Sequence, residues 1–282
     1  LWMLGLVGLA VAVGVYPIIR RLLQRLETLQ RSVQRFGEGD LSVRVSEQGQ
    51  DEVADLARQF NAAAARIEAL VKTHKSLLAN ASHELRSPLT RIRMGLELMG
   101  GNQPSPAFRE EILRNIAELD QLVDEILLAS RLDAREADVG TVELVDLIGL
   151  AAEECARVDA ELDVTAVPEG LEVRGVAKLL RRALRNLLEN ARRYSQGDIT
   201  VVLQRHDGQA QLSVLDRGPG VPPALRERIF EPFYRLPGAS ERAGGVGLGL
   251  ALVRSIAQRH NGSVRCEDQP DGSGGACFVL RL

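Results

Sequence analysis

Within the run ASHELRSPLTRIR, His83 is followed directly by Glu84 and, after a further turn of helix, by Ser87 and Pro88. An imidazole next to a carboxylate can give up a proton to it, leaving the other ring nitrogen more nucleophilic. The run superficially matches a zinc-protease helix, but Ser87 stands where a second histidine ligand would be required, which excludes that chemistry. A second constellation lies in the C-terminal half. Asn186 and Asn190 are four residues apart on NLLENARRYS and share a helix face, with Arg193 and Tyr194 a turn further on. An amide oxygen can ligate Mg²⁺, a guanidinium can hold phosphate and a phenol ring can cover a base. Asp216 opens DRGPG, whose Gly218 and Gly220 allow a ligand close to the backbone. Phe230, Phe233 and Tyr234 in IFEPFYR precede a polar, glycine-rich stretch that has the composition of a hinged lid. Gly245, Gly247 and Gly249 then lead into an apolar helix, where free N–H groups and the helix dipole favour phosphate. The glycines fit neither a dinucleotide fingerprint, whose last glycine would fall at 250, nor a Walker A loop, which needs a following Gly-Lys-Ser/Thr.

These groups need elements to hold them. Residues 1–19 carry no charge, and as a helix they would be about 28 Å long, enough to cross a hydrocarbon core. Arg20, Arg21 and Arg25 follow at once, so the positive-inside bias places the remainder on the cytoplasmic side. The chain opens on Leu inside this stretch, which leads to the expectation of an N-terminally truncated protein lacking its input region. After Pro17, Ile19, Leu22, Leu26, Leu29, Val33 and Phe36 recur at three-four spacing, a coiled-coil seam. A connector with GEGD and alternating Leu41, Val43 and Val45 breaks it, and Val53, Leu56, Phe60, Ala63, Ile67 and Leu70 restore it on a parallel second helix. Between Leu70 and Leu78 the spacing is four and four through His74, a stutter that predicts a mechanical junction near 74–78. The second seam continues past His83, which lies one residue off it and is accessible; Pro88 deprives the Glu84 carbonyl of its helical donor and should bend the helix. After GGNQPSP, Ile112, Ile116, Leu119, Val123 and Ile126 make a second helix of a hairpin. Its apolar stripe stays exposed unless a second copy covers it, so a dimeric four-helix bundle is expected.

From about 140 the pattern becomes α+β: strand-like VTAV and LEV, a helix over 176–194, strands ITVVLQRH and QAQLSVLD around an Asp-Gly turn, a last helix from the glycine cluster, and closing strands SVRCED and ACFVLRL. The 282 residues therefore divide into several units, with composition typical of globular protein: 45% hydrophobic and 26% charged. A formal net charge of −3 gives no electrostatic footprint for nucleic acid, so no direct nucleic-acid partner is expected. Three cysteines without a CxxC pair read as buried thiols in a reducing compartment.

The proline after the apolar run, the GDL connector and DEVADLARQFN resemble a HAMP domain over 17–70, which implies that two chains complete a four-helix relay. HELRSPL resembles the phosphoacceptor box of sensor histidine kinases, which implies a hairpin over 71–133 with His83 phosphorylated and Glu84 as base. It also implies a role for Ser87, at a position linked to dephosphorylating the partner, where many relatives carry Thr or Asn. The segments around Asn190, Asp216, Phe230 and Gly247 resemble, in order and spacing, the N, G1, F and G2 boxes of a GHKL-type (Bergerat) α+β sandwich over 140–282. That resemblance implies ATP and Mg²⁺: Asp216 on the adenine amine, Asn190 on the metal, Asn186 and Arg193 near phosphate, Tyr194 beside adenine, and Gly218, Gly220, Gly245, Gly247 and Gly249 shaping the loops. Arg193 stands where Lys is frequent. The whole resembles a bacterial sensor kinase of a two-component system in the cytoplasmic membrane, with its catalytic part in the cytoplasm. The partners so implied are a second copy, a response-regulator receiver domain and the lipid bilayer, with the linker near 133–140 as hinge. The alternatives are a non-catalytic HAMP scaffold with a degenerate ATP fold, and a chaperone- or gyrase-type ATPase, which would need neither His83 nor a span.

Overall fold

A computed structural model describes residues 2–98, 106–133, 140–167, 169–195, 197–236, 246–270, 272 and 274–282. The chain forms two compact units, Leu1–Ser76 and Leu77–Leu282, and the boundary falls inside the stretch where the helical phase slips.

In the first unit α1 (Trp2–Gly37) runs unbroken through Pro17, and α2 (Glu52–Leu98) begins after the connector. The start of α2 is set by Asp51, whose Oδ1 accepts from the Ala54 N–H at 2.9 Å, and whose carboxylate pairs with Arg25 of α1. That partner holds the Asp51 carboxyl below the ordinary aspartate range. The connector is not left loose. Asn61 brackets Val45, its Oδ1 accepting from the Val45 N–H at 2.9 Å and its Nδ2 donating to the Val45 carbonyl at 2.8 Å. Phe36 and Phe60 meet edge to face at 5.7 Å. Much of both seams stays exposed, including Leu22, Leu26, Val33, Leu56, Ile67 and Leu70, so a single copy leaves the apolar stripe uncovered. Among the described residues no helix is long and apolar enough to cross a membrane. The expected span over 1–19 falls partly outside them, at residue 1 and at the side chains of 4–7, 9, 10 and 12.

The second unit contains the rest of α2 and α3 (Pro106–Asp133). Gly95 lets the Phe108 ring lie against α2, since a Cβ there would come within 2.7 Å of it. Arg91 ties the helices together, donating to Asn115 at 2.7 Å and Glu118 at 2.7 Å on α3. The loop and hinge expected at 100–106 and 133–140 lie outside the described residues almost entirely.

The α+β part opens with β1 (Glu143–Asp146), which pairs antiparallel with β3 (Glu172–Gly175), and α4 (Leu147–Ala156), capped by the Asp146 side chain. Neither β1 nor α4 was expected from the sequence. A five-stranded sheet has the order β2-β4-β5-β7-β6, with β2 (Glu161–Asp163) parallel to β4 (Thr200–His206) and the others antiparallel: β5 (Gln209–Leu215), β6 (Ser263–Asp268) and β7 (Ala276–Arg281). The expected strand VTAV is corrected. The strand is ELD, three residues earlier, because the Asp163 carboxylate accepts from both the N–H and the hydroxyl of Thr165 and turns the chain there. Helices α5 (Ala177–Tyr194) and α6 (Gly249–Arg259) pack together against the sheet. Leu179, Leu180, Ala183, Leu184, Leu187, Leu188 and Ala191 form the buried stripe of α5, each leucine contributing about 1.5–3 kcal/mol of burial. The opposite edge of α5 is clamped to α4 by buried Glu154, which accepts from Arg185 at 2.9 and 2.8 Å, and this pairing holds the Glu154 carboxyl low. All three cysteines are free and buried; burial pushes the Cys266 thiol up to about 12 and those of Cys155 and Cys277 to about 11.

Candidate functional site

A cavity of about 430 Å³ opens between α5, the DRGPG loop, the start of α6 and one face of α3. Its volume suits a ligand of cofactor size. It gathers Asn186, Asn190, Arg193, Tyr194, Asp216, Gly220, Gly247 and Gly249, all of which the sequence singles out.

One end is built for a hydrogen-bonding apolar ring. Asp216 is only 3% exposed, just beyond the end of β5. Its Oδ1 accepts from the Gly218 N–H at 2.8 Å and the Ala276 N–H at 3.2 Å, which leaves Oδ2 for a ligand. Burial raises the Asp216 carboxyl above the ordinary aspartate range, and the two N–H donors partly offset this. Val221, Ile229, Leu236, Val246, Leu250 and Phe278 give the surrounding wall its apolar character. Gly218 does not line the cavity. It closes the loop behind Asp216, where a Cβ would come within 2.7 Å of the Tyr194 carbonyl. Ser195 braces this loop as well, its Oγ accepting from the N–H groups of Gly197 and Arg217 at 3.1 Å each.

The other end offers main-chain donors to an anion. At the start of α6 the N-cap residue, Leu248, makes no side-chain cap hydrogen bond among the described residues, so the first N–H groups and the dipole are open to phosphate. Gly247 has a φ of +80°, and a Cβ there would collide with the Phe233 and Tyr234 backbone. The Asn186 Nδ2 donates to the Gly249 carbonyl at 3.1 Å, fixing the start of α6 over α5. Gly245 and the polar part of the expected lid, 237–245, lie outside the described residues. The aromatic segment before it divides: Phe230 is a core residue, edge to face with Phe278 at 6.4 Å, while Tyr234 lines the cavity with Arg228 stacked on its ring at 4.5 Å.

The wall supplied by α3 was not anticipated. Glu118, Gln121, Leu122 and Glu125 border the cavity, and Glu125 accepts from Arg182 of α5 at 2.9 Å. Burial raises the Glu125 carboxyl above its ordinary range. His83 does not line the cavity; it is exposed on α2, with Glu84 half-buried beside it. Ser87 is exposed one turn on, and its Oγ accepts from Arg91 at 3.0 Å. His260 is structural: its Nε2 accepts from the Val176 N–H at 3.0 Å at the start of α5.

Three family models match the chain: HAMP domain over residues 18–69, His Kinase A (phospho-acceptor) domain over 73–135, and Histidine kinase-, DNA gyrase B-, and HSP90-like ATPase over 175–282. Among curated proteins, the sensor protein CutS of Streptomyces coelicolor is 34% identical across 99% of this chain and 69% of its own length. The sensor protein RstB of Escherichia coli is 34% identical across 98% of this chain, and the signal transduction histidine-protein kinase/phosphatase MprB of Mycobacterium sp. is 33% identical across all of it. The chain spans 64% of RstB and 58% of MprB. The solved structure of the Acinetobacter baumannii histidine kinase AdeS shares the fold over 71% of this chain and 96% of its own, with a TM-score of 0.58 at 23% identity. Histidine kinase ThkA, solved with the response regulator TrrA, does so over 82% of this chain and 67% of its own, with a TM-score of 0.60 at 24% identity. The chain belongs to the HAMP-containing sensor histidine kinases of two-component systems.

Proposed function

We propose that this chain transfers the γ-phosphoryl group of ATP to a ring nitrogen of His83 and then passes it to an aspartate of a response-regulator receiver domain. The observation that carries this reading is the cavity itself. A buried carboxylate with one spare oxygen stands at its apolar end, and an uncapped helix start with Asn190 stands at its polar end, on a chain that also exposes His83. In the first step the bond from the γ-phosphorus to the bridging oxygen breaks, ADP leaves, and a phosphorus–nitrogen bond forms at His83. Glu84 takes the displaced ring proton. Positioning and electrostatic stabilisation carry the chemistry. Because His83 is not on the cavity wall, the ATP-binding part must travel to it.

The residues fit a metal held mainly by the nucleotide. Among the described residues no group of three acidic, His or Cys side chains could hold an ion, so Asn190 would be a single protein ligand beside phosphate oxygens. Mg²⁺ bound there would neutralise charge developing on the phosphates. Asn186 and Arg193 would lie near the phosphates and Tyr194 beside adenine, with Gly218, Gly220, Gly245, Gly247 and Gly249 shaping the loops. Ser87, oriented by Arg91, would serve removal of phosphate from the receiver domain. The exposed apolar side chains Leu78, Leu89, Leu96, Ile116, Val123 and Leu127 support a homodimeric four-helix bundle. Residues 1–19 would cross the bacterial cytoplasmic membrane, 17–70 relay, 71–133 carry the phosphoacceptor and 140–282 bind ATP, on the cytoplasmic side.

Incubation with γ-labelled ATP tests this reading. Label is expected on the wild-type chain only when Mg²⁺ is present, and Asn190→Ala is expected to slow labelling about 100-fold or more. Label gained equally without Mg²⁺ would remove the metal role, and a wild-type chain that binds ATP without ever gaining label would instead be a signalling scaffold.

A further inference from the structure

The apolar end of the cavity rests on residues that carry no recognisable motif, at the end of β6 and the start of β7. Gln269 directly follows β6 and is 7% exposed. Its Nε2 donates to the main-chain carbonyl of Asp216. The preceding Asp268 pairs with Arg226, whose Nε donates to the Val221 carbonyl at 3.0 Å, at the far end of the DRGPG loop. On the returning strand, Ala276 exchanges two hydrogen bonds with Asp216. Its N–H donates to Oδ1 at 3.2 Å and its carbonyl accepts from the Asp216 N–H at 3.0 Å. Asp268, Gln269 and Ala276 thus grip the loop at both ends and hold Asp216 through its N–H, its carbonyl and its carboxylate.

We infer that Gln269 is the positioning residue that orients the Asp216 carboxylate, and that it thereby sets the preference of the site for a 6-amino purine over a 6-oxo purine. The inference rests on the reading of Asp216 as acceptor of the adenine amine. A buried carbonyl without a donor is costly, so loss of the Gln269 amide frees the Asp216 peptide unit to turn toward another partner. Its side chain turns with it, and a hydrogen bond to a fixed ring weakens steeply as its angle departs from linear. Gln269 is not among the residues that line the cavity, whereas Asn190 and the start of α6 are, so the triphosphate tail is expected to be held as before. Gln269 is a positioning residue: it acts on the base only through Asp216.

Calorimetric titration of the full chain with Mg²⁺ and either ATP or inosine triphosphate, which carries oxygen in place of the amine, separates these effects. The wild-type chain is expected to prefer ATP. Gln269→Met keeps the shape and removes the donor, and is expected to shrink the ATP-to-inosine-triphosphate ratio about 3- to 10-fold with inosine triphosphate affinity nearly unchanged. Gln269→Glu sets an acceptor against the Asp216 carbonyl and is expected to shrink the ratio at least as far. A wild-type ratio in both variants overturns the inference, whether the two affinities stay put or fall together as they would for a merely structural residue. Asp216→Asn is the control: a ratio lost there but kept in the Gln269 variants overturns the inference alone, whereas a ratio unchanged in Asp216→Asn overturns the reading of Asp216 and this inference with it.

Discussion

Asp216→Asn is expected to bind ATP about 10- to 100-fold more weakly than the wild-type chain, while folding normally. Two backbone N–H groups, of Gly218 and Ala276, converge on one carboxylate oxygen. An asparagine must turn its carbonyl oxygen toward those two donors, which leaves its NH₂ facing the ligand. The adenine amine would then meet a donor instead of an acceptor. A hydrogen bond to a charged acceptor is lost, worth about 1.5–3 kcal/mol, but no buried backbone group is orphaned. The same carboxylate predicts a pH dependence. Its folded-state pKa is raised by burial, so the ligand-free folded chain takes up a proton more readily than the unfolded chain. The contribution of this group to stability therefore declines as pH rises from the ordinary aspartate value through the raised one. Binding is expected to run the other way, because the proposed contact to the adenine amine needs the ionised form: affinity should fall as pH is lowered, starting above the ordinary aspartate range. Titrations at a series of pH values check this, and the Asp216→Asn chain should lack that part of the dependence.

Gly275→Ala is expected to cost at least about 2–3 kcal/mol, more than the neighbouring Gly274→Ala at about 1 kcal/mol. Both glycines have positive φ, +104° and +81°. They differ in what surrounds them. A Cβ on Gly274 would meet open space, whereas one on Gly275 would stand 1.9 Å from the Asp216 carbonyl oxygen, so the backbone must move. Each kcal/mol lowers the melting temperature by roughly 2–4 °C in a unit of this size, which thermal unfolding resolves. Because the displaced atom belongs to Asp216, Gly275→Ala should also weaken ATP binding, and Gly274→Ala should not.

Much of the fold around this cavity was legible because it depends on neighbours along the chain. The seven-residue strands β4 and β5 stand where alternation and an Asp-Gly turn place them, and Asp207 and Gly208 have the positive φ that such a turn needs. Strand β6 coincides with SVRCED, and the buried stripe of α5 follows from its spacing. The features that escaped are those made by residues far apart in sequence. Nothing local marks Gln269, whose partner is 53 positions away, or Gly275, whose need for a missing side chain arises only where β7 crosses Asp216. Nothing local marks Glu125 of α3 either, which the structure sets against Arg182, 57 positions away. VTAV misled for the opposite reason. Its β-branched residues favour a strand, but the Asp163 side chain outcompetes the ladder for the Thr165 N–H. Phe230 looked like part of a lid because a glycine-rich stretch follows, yet its ring belongs to the core.

The γ-phosphoryl group of ATP bound in the cavity is expected to go to His83 and to no other residue. The chain has four histidines, at 74, 83, 206 and 260, which makes the site of modification decisive. Wild-type chain incubated with Mg-ATP, digested at alkaline pH and analysed by mass spectrometry should carry one acid-labile, base-stable phosphate on the peptide containing His83, and Glu84 should be unmodified. The His83→Gln chain should bind ATP as well as wild type and carry none. Phosphate on another histidine, an acid-stable phosphate on Ser82 or Ser87, or modification that survives His83→Gln would contradict the account.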